Sequence, residues 1–198
     1  MRTMSGKHRL NLRSRRGGDL QRDERGAALV EMAMVLLLLT SIFIGIAELG
    51  VLFRDWLSVS TATRAGVRVG SAAGTDPMAD CWILEATAGT LISIPLDSVQ
   101  EVWVFRADSN GDPTADKNVF RPGNNVIDPG DILACGAWTK SYVSSWDPGA
   151  RNVGSSNLDI IGIRISFDHN WLTGFGPFNG TISFDDDAVM RMEPQFFG

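Results

Sequence analysis

The chain of 198 residues has few of the side chains on which enzymes and ligand sites usually depend. It holds two histidines, His8 and His169, two cysteines, Cys81 and Cys135, and one tyrosine. No HExxH, GxSxG, P-loop or CxxC pattern occurs, which excludes the reaction classes those motifs carry. His8 lies in a basic leader and His169 stands alone beside Trp171, where the expected role is that of a satisfied surface residue. The reading is therefore non-catalytic, with no cofactor, no metal and no small-molecule substrate. Basic charge is also scarce beyond residue 26. Residues 1–26 carry eight Lys/Arg and three Asp/Glu, whereas 27–198 carry ten and twenty. An acidic body argues against nucleic acid, because phosphate binding needs a basic surface. Asp108, Asn110, Asp112 and Asp116 cluster, and Asp185, Asp186 and Asp187 form a run, but neither has calcium-loop spacing. A solvated turn and a charged edge strand are the expected roles.

What the chain has is a long apolar run. Sixteen uncharged residues separate Glu31 from Glu48, and 27–53 contains no other charge than these two acids. About 20 predominantly apolar residues suffice to cross a bilayer. A core helix in so small a domain would rarely be apolar on every side. The expectation is a basic cytoplasmic leader at 1–26, a transmembrane helix at 27–53, a helix extension at 54–75 and an extracytoplasmic domain at 76–198. The eight cations before the helix set its orientation, since positive flanks stay in the cytoplasm. No small-residue cleavage site follows the run, which disfavours an ordinary secretory signal.

Glu31 sits fifth in this helix, after Gly26 and Ala27. A carboxylate at such a depth is costly without a positive partner, and a helix N-terminus favours it only over the first turn. A cut after Gly26 would free the α-amine of Ala27, which could pair with Glu31 of a neighbouring subunit. The order Gly26-Ala27-Ala28-Leu29-Val30-Glu31 before an apolar helix resembles the prepilin peptidase site of type IV pilins. The continuation resembles the TadE-like family of the tight-adherence (Flp) pilus system. The matching points are Gly26, Glu31, Gly45-x-x-Glu48-Leu49-Gly50 and Thr63-Arg64-Ala65-Gly66-Val67-Arg68. Met32 stands where the family usually carries an aromatic residue. The resemblance is strong over about residues 24–74 and returns weakly at 188–194. It implies a peptidase substrate cut between Gly26 and Ala27. It also implies a minor pilin in a system serving adhesion, biofilm formation or secretion, with other pilins and assembly proteins as partners.

Glu48 is expected either to reach water at the interface or to pair with a partner helix. Ser58, Ala62, Gly66, Gly70 and Gly74 recur every four residues, a ridge that admits a close backbone. Gly66 and Gly70 could serve a neighbouring subunit, or the ridge could dock the chain's own sheet.

Beyond Pro77 a short helix is expected at 79–91, and the period then changes to two. Strands are expected at 100–107, within 132–143, at 158–168 and at 180–192. Of these, 158–168 is clearest, with Ile161, Ile163, Ile165 and Phe167 on one face. Ile182 and Phe184 are expected inward on the last. Residues 108–113 read as a turn, and 114–131 and 144–157 as loops. The fold class is α+β: a long N-terminal helix leading into a small antiparallel sheet of three to five strands, pilin-like. Two cysteines on the exported side predict one disulfide, Cys81–Cys135. The alternative function is a single-pass anchored extracytoplasmic binding domain that joins no pilus.

Overall fold

The computed structural model describes residues 16–91, 94–123, 134–135 and 138–195. Most of the basic leader and residues 124–131 of the expected loop lie outside them. Helix α1 runs unbroken through Arg16–Ala73, and α2 covers Ala79–Thr90. Six strands follow: β1 Val99–Ala107, β2 Pro113–Pro122, β3 Ala134–Cys135, β4 Trp138–Ser144, β5 Ile160–Asn170 and β6 Thr181–Arg191. They form one antiparallel sheet in the order β3-β4-β2-β1-β5-β6. The chain divides into two compact units, one ending at Ala47 and one beginning at Glu48.

Helix α1 is already formed at Arg16, ten residues before Gly26 and ahead of the start the sequence suggested. Leu20, Gln21, Arg22, Glu24 and Arg25 are good helix formers, and one glycine costs only about 1 kcal/mol, too little to end a helix. In the first unit, every side chain from 26 to 40 is exposed, among them Leu36, Leu37, Leu38 and Leu39. The run from Gly26 is long and apolar enough to cross a membrane.

In the second unit, the later turns of α1 pack on one face of the sheet. Val59, Ala62 and Val67 are buried with Ile83 and Leu84 of α2. Beneath them lie Val102 and Val104 of β1, Phe120 of β2, and Ile161, Ile163, Ile165 and Phe167 of β5. The alternation that marks β5 is therefore its burial pattern. The small-residue ridge is occupied by the chain itself. A Cβ at Gly66 would stand 2.5 Å from Thr87 Oγ1, and one at Gly70 would stand 2.7 Å from Ile161 Cδ1. These two glycines let α1 meet α2 and β5, so the face they open is closed to a neighbouring subunit.

The expected loop at 114–131 is wrong in its first half, because 113–122 is β2 in the middle of the sheet. Its polar residues disguised it. Lys117 lies over the Trp103 ring at 3.4 Å, and buried Asn118 hydrogen-bonds to Asp80 and Trp146 as described below. The expected strand within 132–143 is resolved into β3 and β4, so the sheet has six strands, above the expected range. β6 is an edge strand. Phe184 packs against the core, but Ile182 is exposed at the strand's far end, contrary to expectation. Asp187 faces Arg164 at 3.5 Å, and Asp186 accepts from Thr63 Oγ1 at 2.8 Å.

Two features fix the other end of the sheet. Cys81 and Cys135 are joined, tying α2 to β3 across 54 residues of sequence. Next to Cys81, the Asp80 carboxylate is buried against Arg151, with both side chains fully enclosed. Asn118 donates to Asp80 Oδ2 at 2.7 Å and to Trp146 O at 2.6 Å, and accepts from Trp146 N at 3.2 Å. The Arg151 guanidinium also lies over the Trp146 ring. One buried polar cluster thus joins α2, β2 and the segment after β4.

Candidate functional site

Two places on α1 carry acids that an apolar helix must accommodate. The first is the start of the apolar run. Gly26, Ala27 and Glu31 are all helical and exposed, and among the described residues nothing beyond its own helix lies within 4 Å of a Cβ placed at Gly26. Ala27 and Glu31 are four residues apart, so they share a helix face. Both residues of that face are exposed.

The second is Glu48, the first charge after the run. It neither reaches water nor waits for a partner helix. Its side chain is wholly buried, and its carboxylate accepts from the chain's own loop after β5. Leu172 N donates to Oε2 at 3.0 Å, Thr173 N to Oε1 at 2.7 Å, and Thr173 Oγ1 to Oε1 at 2.6 Å. Charge-assisted bonds of this kind are about twice as strong as neutral ones. Gly174 and Gly176, with φ of 62° and 61°, supply the left-handed backbone that turns the loop back after this contact.

Asp55 lies two turns further along the same helix face. Its Oδ2 is 2.9 Å from His169 Nδ1, and Arg54 pairs with its Oδ1 at 3.1 Å. His169 is therefore not the surface residue expected. It is 2% exposed, with its ring edge-on to Trp171, which in turn meets Phe178. With Nδ1 held by Asp55 and the ring enclosed, His169 is placed to fasten β5 to α1, not to meet a substrate.

Sequence reasoning singled out Glu48 but missed Asp55, His169 and Thr173 as its companions. A signal was present. Glu48 and Asp55 are seven residues apart, hence on one helix face, and 171–182 contains no charged residue. Of the acid cluster at 108–116, residues 108–112 form the expected turn, in which Asp108 Oδ1 accepts from Asn110 N and Asp112 N, whereas Asp116 lies in β2 and pairs with Arg106 of β1.

No curated protein and no solved structure matches the chain. One family does: its model, described as TadE-like protein, matches residues 26–68. The match begins at the glycine before the apolar run and takes in both Glu31 and Glu48. Over residues 26–68 the chain is thus similar to the TadE-like family, the resemblance to which its own residues had pointed.

Proposed function

We propose that the protein is a non-catalytic minor pilin of a tight-adherence pilus. The match over 26–68 connects the chain with that pilus system. The observation that supports the finer reading is the exposed helix face bearing Ala27 and Glu31, with Gly26 just before them, at the head of an apolar run whose residues from 26 to 40 are exposed. An apolar helix exposed over so many turns suits a bilayer first and a bundle of like helices later. In this reading the leader is cytoplasmic and the domain from residue 48 onward is exported, which agrees with its disulfide. Prepilin peptidase removes residues 1–26. The new α-amine of Ala27 pairs with Glu31 of a neighbour and sets the register between helices. The second unit supplies the contacts that distinguish this subunit from others.

Glu31→Leu separates this reading from a plain anchor. The substitution makes the span more apolar, so an anchor keeps its membrane level and loses nothing. A pilin keeps its membrane level and loses assembly, because a buried amine has lost its partner. The expected result is a fall in sheared surface pili of an order of magnitude or more, with unchanged amounts of the protein in the membrane. Pili at the wild-type level would contradict the assignment.

A further inference from the structure

The loop after β5 has a property that its bond to Glu48 does not require. Leu172 and Phe175 point outward and are 66% and 52% exposed. Residues 171–182 are uncharged. Phe53 and Trp56 of α1 and Ile182 of β6 are exposed as well, and Phe53, Trp56 and Phe184 line an apolar recess. Exposed apolar residues of this size, collected at one end of a domain, mark a surface that meets something other than water. No acid interrupts the loop, and Glu48 beneath it is fully enclosed.

The place of that end in the chain identifies what it meets. Residues 27–47 form 21 helical positions, which at about 1.5 Å each reach about 30 Å, the hydrocarbon thickness of a bilayer. Glu48 is the next residue. The loop is hydrogen-bonded to Glu48 itself, so it stands at the level where the chain leaves the membrane. Its aromatic and aliphatic side chains then fall in the zone where amphipathic and aromatic groups anchor membrane proteins. Arg54, exposed one and a half turns further on, is placed to meet lipid phosphate.

We infer that the 171–178 loop is a membrane-contact element: it inserts Leu172 and Phe175 into the headgroup–acyl boundary of the outer leaflet, beside the point where the helix emerges. This rests on the helix crossing a bilayer. It shortens the span from 27–53 to 27–47 and gives Glu48 its purpose. The acid pins the loop at the interface, and the loop's amides spare the acid from lipid. The domain is thereby held against the membrane until its helix is withdrawn into an assembly.

The test uses the full chain in vesicles of phosphatidylethanolamine and phosphatidylglycerol. Nitroxide labels are placed singly on the Phe175→Cys, Leu39→Cys and Asn110→Cys variants, the native cysteines remaining paired. The ratio of accessibility to oxygen over a water-soluble nickel chelate reports depth. The label at 39 should lie deep, and the label at 110, in an exposed turn, should lie in water. The label at 175 should show a ratio several-fold above that at 110 and below that at 39, and Leu172→Cys should agree. A water-like value at 175 and 172 with a deep value at 39 overturns the loop's role and leaves the membrane helix standing. A label at 175 shielded from both reagents means contact with protein and overturns it too. A water-like value at 39 overturns both.

Discussion

Asp80→Ala should cost about 3–5 kcal/mol of stability, the penalty for leaving a buried charge without its partner. Arg151 is fully enclosed, and its guanidinium has Asp80 as its carboxylate. Removing that carboxylate also takes an acceptor from Asn118 Nδ2. Asp80 sits in the first turn of α2, where the helix dipole favours a negative charge, so the helix loses support as well. In a domain of this size the loss corresponds to a drop in Tm on the order of 10 °C, read by thermal unfolding in detergent. Replacing Asp80 and Arg151 together by apolar residues should cost much less, because no charge is stranded. A double-mutant cycle with no coupling between the two positions would contradict this account.

Opening the Cys81–Cys135 bond should cost about 4 kcal/mol by the loop-closure estimate for a separation of this length. The bond fastens α2 to β3, a strand of two residues at the sheet's edge that pairs with β4. Reduction, or Cys81→Ser with Cys135→Ser, should lower Tm and speed amide exchange first in β3 and β4. The 26–47 helix should be unaffected, since it belongs to the other unit. The effects of Asp80→Ala and of disulfide loss should not add, because the two residues adjoin and both hold α2 to the sheet. Equal Tm values for the oxidised and reduced chains would contradict a structural role for the bond.

Both features stand at α2, and only one was legible in the sequence. A disulfide follows from an even count of exported cysteines. Nothing local announces that Asp80 will meet Arg151, which is seventy-one residues away. The same contrast runs through the fold. Helix α1 could be read because composition alone decides it, and β5 because isoleucine alternates with polar residues. β2 could not be read. Its Ala115-Asp116-Lys117-Asn118 stretch resembles a loop until Trp103 covers Lys117 and Trp146 takes up Asn118. Tertiary partners, not local preference, make that segment a strand.

The candidate site divides in the same way. Gly26, Ala27 and Glu31 were legible because their meaning lies in spacing along one helix. Glu48 was visible as an anomaly in an apolar run, but its partner lies in the 171–173 loop, 124 residues away for Leu172. Gly66 and Gly70 were legible as a close-packing ridge. Only the fold identifies what fills it: Ile83, Thr87, Ile161 and Ile163 of the same chain. The resulting division of labour is simple. From Glu48 onward the helix serves the chain's own domain. Before it, the helix is exposed at every residue from 26 to 40.

The most direct measurement of the central claim is therefore the mature N-terminus, read by mass spectrometry in cells with and without an active prepilin peptidase. The account predicts a chain beginning at Ala27 when the peptidase is active and an unprocessed chain when it is not. A chain beginning at Met1 in both would contradict it, leaving Glu31 as an acid in a plain anchor.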